Sequence, residues 1–138
     1  MHGIWELYQD LEGMWRYRQV KSVFEEAVGT AAKLSSVERK QILATESKIP
    51  ELIEVTTRVY KRSPYVVAEV LLRANGKCQY CKRDAPFLKE DGTPFLEVHH
   101  IEWLSKGGED SVENAIALCP NCHRQAHYGD LTLLPVNK

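Results

Sequence analysis

Four cysteines and four of the chain's five histidines fall between Cys78 and His127, and these residue types bind transition metals and move protons. In order they read Cys78-x-x-Cys81, His99-His100, Cys119-x-x-Cys122-His123 and His127, with Asn114 in between. Each CxxC bends into a knuckle that aims two sulfurs at one ion, and two knuckles complete the tetrahedron of a structural zinc site. Four thiolates fill such a site, so the histidines need another role. The pattern predicts two metal centres close together, one closed by Cys78, Cys81, Cys119 and Cys122, the other open and rich in imidazole. An open metal site beside a spare histidine is the equipment of a hydrolase. The alternative, four unligated cysteines, would make two CxxC pairs a coincidence.

The histidines gain weight from their setting. His123 and His127 are four residues apart on a helix predicted from Pro120 to Tyr128, so both imidazoles leave the same face. A histidine from a strand meeting that helix would give a three-nitrogen site with positions left for water and phosphate. For His127 the alternative is an interaction with the last carbonyls of its helix. Glu97 and Glu102 flank the histidine pair and can orient an imidazole, or can be plain exposed strand residues.

The elements that must position these groups are partly marked. Ser63-Pro64 starts a helix, with Ser as N-cap and Pro at its first position; Val67, Val70, Leu71 and Ala74 form its buried face, and Asn75-Gly76 ends it. That helix delivers the chain into the first knuckle. After an Asp91-Gly92 turn, Pro94 to Ile101 reads as a strand, a loop with Gly107-Gly108 follows, and Ala115 to Leu118 reads as a second strand. The segment between the two CxxC pairs exceeds the common zinc-ribbon spacing, so a folded ββ unit must loop out between them. Upstream, residues 1–62 carry no chemical motif and read as helical. Leu7, Leu11, Met14 and Trp15 recur at three- and four-residue steps, weakened by Gly13, and Trp5 and Trp15 read as core or interface. Ser35-Ser36-Val37-Glu38 matches a capping box, and residues 51–60 are β-branched enough to leave helix and strand open.

Composition bounds the reading without choosing it. A chain of 138 residues with 43% apolar content is one ordinary domain, or a small module with an extension, and its net charge of −1 announces no polyanion partner. The charge is uneven: Arg58, Lys61, Arg62, Arg73, Lys77, Lys82 and Arg83 face only Glu69 across that stretch. Such a run is either a solvated face or a phosphate-binding one. No apolar run reaches the roughly 18 residues of a membrane span, and the start lacks the pattern of a signal peptide. The cysteines then read as metal ligands in a reducing compartment, and cytoplasm is expected.

Leu96-Glu97-Val98-His99-His100-Ile101, Gly107-Gly108, Asn114 and Leu118-Cys119-Pro120-Asn121-Cys122-His123 together resemble an HNH endonuclease of the ββα-metal, or His-Me finger, superfamily. The resemblance covers about residues 64–129. It implies His100 as general base, Asn114 as the residue that ties down the loop between the strands, and His123 as a catalytic-metal ligand. His99 matches the first ligand position, where many members with this zinc-knuckle layout carry aspartate. The histidine is similar to colicin-type nucleases, whose second helix histidine corresponds to His127.

The fold class expected is therefore α+β, a ββα-metal module at residues 63–138 with a four-cysteine zinc site, preceded by a helical N-terminal extension at residues 1–62. The function implied is metal-dependent phosphodiester hydrolysis on double-stranded DNA, nicking one strand per active site. Its cofactors would be a structural zinc and an exchangeable divalent ion, manganese favoured, with magnesium, nickel or cobalt as alternatives. Arg58, Lys61, Arg62, Arg73 and Arg124 are the candidate phosphate contacts. No membrane partner is expected, and monomer and homodimer both stay open. The rival readings are a zinc-stabilised DNA-binding module without turnover and a nuclease acting on RNA or structured nucleic acid.

Overall fold

The structure, a computed structural model, describes residues 5–9 and 15–135, with side chains from residue 23 onward. The chain divides into two compact units, one ending at Val59 and the other beginning at Tyr60.

The first unit opens on an antiparallel pair, β1 (Trp5–Gln9) with β2 (Trp15–Gln19), in which Leu7 faces Tyr17. This corrects the helical reading of these residues. Trp5 and Leu7 flank Glu6, and Trp15 and Tyr17 alternate with Arg16 and Arg18, so the strand period competes with the helical steps of Leu7, Leu11, Met14 and Trp15 and prevails. Leu11, Gly13 and Met14 lie outside the described residues. The helices follow as α1 (Val20–Lys33) and α2 (Ser36–Thr45). The capping box forms at α2: Glu38 N–H donates to Ser35 Oγ, and Ser35 N–H donates to the Glu38 carboxylate. From Glu46 to Arg62 there is no helix or strand apart from a bridge at Thr57, so the β-branched run forms neither element.

The second unit begins with α3 (Pro64–Ala74). Ser63 Oγ accepts from Val66 N–H, and Asn75 closes the helix in the left-handed region at φ 48°. Two short strands then pair antiparallel, β3 (Glu97–His100) with β4 (Ala115–Leu118), His100 opposite Ala115 and His99 opposite Ile116. Strand β3 is shorter than the run from Pro94 to Ile101. Pro94 and Phe95 look the other way, Pro94 bridging Leu88 and Phe95 N–H donating to Phe87. Helix α4 (Pro120–Tyr128) completes the unit.

Strand β4 is buried throughout and serves two cores by its period of two. Ala115 and Ala117 turn to α3, packing with Val70 and Ala74, and their small side chains let the helix lie close. Ile116 and Leu118 turn to Cys78 and Cys122. A fully buried leucine such as Leu118 contributes about 1.5–3 kcal/mol, and few residues here are that deeply buried. So small a core calls for a covalent or metal staple.

Candidate metal centres

The first knuckle is set by the turn that leaves α3. Asn75 and Gly76 both take positive φ, Cys78 N–H donates to Arg83, and Lys82 N–H returns to the Cys78 carbonyl with Lys82 at φ 64°. Gln79 ties this turn to β4: its backbone N–H donates to Ala117 O, and its side-chain oxygen accepts from Ala117 N–H, each at 2.9 Å. The second knuckle is the start of α4, with Cys119 at the N-cap and Pro120 at the first position. The four sulfurs lie within 4.8 Å of one another, Cys81 Sγ and Cys119 Sγ 4.0 Å apart. A zinc tetrahedron with Zn–S near 2.3 Å has edges of about 3.8 Å, so the donor set fits that ion. The thiols already differ. Burial opposes ionisation of Cys78, yet backbone N–H groups of Cys119, Cys81 and Tyr80 outweigh it and lower its pKa to about 7. Burial, with the neighbouring thiols, pushes Cys122 up.

The imidazole centre uses the same helix. His99 on β3 and His123 and His127 on α4 bring one ring nitrogen each to within 4.8 Å of one another. The Nε2 atoms of His123 and His127 are 3.0 Å apart, and the His99 ring stands edge-on to both, with centroids 5.2 Å from His123 and 4.8 Å from His127. Nitrogens about 2.0–2.1 Å from a shared ion would sit roughly 3 Å apart, so these residues fit a divalent cation. Glu97 Oε2 lies 2.6 Å from His123 Nδ1, which fixes the ring and turns Nε2 inward. Trp103 walls the cluster at 5.3 Å from His127 and carries Lys106 Nζ 5.0 Å above its ring.

His100 leaves β3 on the other side from His99. It is 5% exposed, and its Nε2 lies 2.8 Å from Asp110 Oδ1. The other Asp110 oxygen accepts the Ser63 backbone N–H at 2.6 Å. That bond foremost, with His100 helping, holds the Asp110 carboxyl below the ordinary carboxylate range. Asn114 closes the intervening loop: its oxygen accepts from Glu102 N–H, and its amide donates to the carbonyls of Glu102 and Glu109. Gly108 sits so close to Glu102 that a Cβ there would meet the Glu102 carbonyl oxygen at 2.0 Å.

The candidate phosphate contacts divide. Arg58, Lys61, Arg62 and Arg124 are exposed. Arg73 is not available in the same way. Its guanidinium donates to the carbonyls of Val112 and Ala115 and to Gln79 Oε1, so it buttresses the strand and the first knuckle. Sequence reasoning missed Asp110, Gln79 and Trp103. An acid, an amide and an indole in loops carry no periodic or spacing signal; only the Gly107-Gly108 turn hinted that the loop folds back.

Residues 78–129 match the family model described as HNH endonuclease. Among curated proteins the chain is similar to the type IV methyl-directed restriction enzyme EcoKMcrA of Escherichia coli (strain K12), 44% identical over 97 residues, covering 70% of this chain and 35% of that protein. It is also similar to anaredoxin of Nostoc sp. (strain PCC 7120 / SAG 25.82 / UTEX 2576), 40% identical over 35 residues, 25% of this chain and 46% of that one. Among solved structures, that of the type IV phosphorothioation-dependent restriction endonuclease ScoMcrA aligns over 52% of this chain and 16% of its own, at 39% identity and a TM-score of 0.46. The chain thus spans about a third to a half of the length of the curated relatives it matches.

Proposed function

We propose, from the premise that residues 78–129 are an HNH endonuclease domain, that this chain is a metal-dependent DNA endonuclease whose module occupies residues 63–138. The observation that carries the reading is the juxtaposition of the His99, His123 and His127 nitrogens with the separately held His100. Cys78, Cys81, Cys119 and Cys122 would hold a zinc that staples the end of α3 to the start of α4. His99, His123 and His127 would hold a second, exchangeable cation. A divalent ion there supplies Lewis-acid stabilisation of the charge that grows on the phosphoryl group and the departing 3′ oxygen.

The chain's own groups supply the rest. His100 takes the proton of the attacking water as general base. Asn114 pins both ends of the loop that carries Asp110, which keeps the surroundings of His100 fixed. Glu97 aims His123. The exposed Lys61, Arg62 and Arg124 would screen phosphates; DNA is the substrate class the restriction-enzyme relative suggests, and the double-stranded form is our own reading. One such site cuts one strand, so a single copy nicks. Three imidazoles and no carboxylate in the ligand set favour manganese, nickel or cobalt over magnesium, which prefers oxygen.

Supercoiled plasmid incubated with the chain and manganese should relax to the nicked circle, with labelled RNA in parallel left intact. No cleavage with any of these ions would leave the non-catalytic DNA-binding module as the better reading, and cleavage of RNA alone would change the substrate.

A further inference from the structure

Asp110 uses both of its oxygens on partners of fixed character. The Ser63 backbone N–H at Oδ2 can only donate, and an ionised carboxylate can only accept. His100 Nε2, 2.8 Å from Oδ1, must therefore carry a proton when the ring is neutral. The ring is 5% exposed, so water does not readily replace this partner. We propose that Asp110 is a positioning residue for His100: it locks the Nε2–H tautomer and leaves Nδ1 as the basic nitrogen that receives the proton of the attacking water. The catalytic consequence rests on the nuclease reading above, whereas the tautomer lock is a property of the chain itself.

An asparagine at this position isolates the effect. Its single oxygen would keep the Ser63 N–H, the partner Asp110 Oδ2 holds at 2.6 Å. The amide NH₂ then faces His100 Nε2 and requires that nitrogen to accept, which moves the ring proton to Nδ1 and blocks it as a base. Asp110→Ala removes the acceptor without forcing the wrong tautomer. The nearly isosteric Asp110→Asn should thus be the more damaging change, the reverse of what a purely structural role would give. In the serine-protease triad the corresponding aspartate-to-asparagine change leaves geometry intact and lowers kcat about 10⁴-fold.

The test uses the full zinc-loaded chain, labelled with ¹⁵N at histidine, read by long-range ¹H–¹⁵N spectra at a pH where the ring is neutral, alongside manganese-supported plasmid nicking. Wild type should show His100 as Nε2–H and Asp110→Asn should show Nδ1–H. The Asn variant should lose at least about 100-fold in kcat with KM nearly unchanged, the Ala variant less, and Asp110→Glu should recover part of the rate. Retention of Nε2–H in Asp110→Asn, or an Asn variant as active as the Ala variant, would overturn the proposal. A wild-type chain that never nicks would count against the nuclease reading alone, since the spectra judge Asp110 separately.

Discussion

The cysteine cluster and the imidazole cluster share one helix, yet their surroundings prepare them for opposite tasks. Cys119 and Cys122 belong to the first turn of α4, while His123 and His127 run along its next face. Around the sulfurs lie Ile116, Leu118, Leu131 and Leu133, together with backbone N–H donors. Around the imidazoles lie Glu97 and Trp103. Four thiolates close a coordination shell; three nitrogens leave it open. Because Cys122 and His123 are consecutive, whatever fixes the rotation of α4 at the cysteines also fixes where the histidines aim. We infer a dependence: the imidazole cluster takes its geometry from the helix whose start the cysteines would anchor.

The largest effect should follow from breaking that order at its root. Cys119→Ser should remove the zinc and unfold the second unit, since a structural zinc site provides on the order of 10 kcal/mol of apparent folding free energy. Thermal unfolding with elemental analysis would read this, and a variant with unchanged Tm would mean the cysteines are not a metal staple. On the other side, His100→Ala should keep fold, zinc and DNA affinity while losing about 10²- to 10⁴-fold in nicking rate. Wild-type-like nicking by that folded variant would remove His100 from the mechanism.

A smaller and more selective effect is expected at the open centre. His99→Ala should lose most activity with every ion, while His99→Asp should retain some and move the preference toward magnesium, because an oxygen ligand replaces a nitrogen. Metal titrations of nicking at fixed pH check it; best activity of the parent chain with magnesium would argue against His99 as a ligand. The smallest change separates buttress from substrate contact. Arg73→Ala should cost about 1–3 kcal/mol of stability by leaving carbonyl groups of Val112 and Ala115 without a partner. It should leave the salt dependence of DNA affinity nearly unchanged. Arg62→Ala should do the converse, flattening the salt dependence with stability within about 0.5 kcal/mol.

The same contrast explains what could be read from the chain alone. The cysteine pairs, the caps at Ser35 and Ser63, the turn at Asn75 and the i, i+4 histidines are local patterns with local causes, and the sequence carries them openly. What it hid is long-range. Asp110 meets His100 across a loop, Arg73 reaches Ala115 on β4 from 42 residues away, and Gln79 of the first CxxC turn pairs with Ala117. None of these has a period or spacing of its own. The hairpin at β1 and β2 was hidden for another reason: its apolar residues satisfy two periods at once, and only pairing between strands decides.

Dependence of the open centre on the closed one is tested most directly by graded chelation. The full chain would be dialysed against increasing chelator, with bound metals, thermal stability and manganese-restored nicking measured on the same samples. Two steps are expected. Mild chelation abolishes nicking while one zinc per chain and the Tm remain, and added manganese restores activity; only harsher chelation removes the zinc, and fold and restorable activity are lost together. A single step in which zinc, fold and nicking disappear in parallel, or zinc loss that leaves a folded chain still able to nick with manganese, would contradict that dependence.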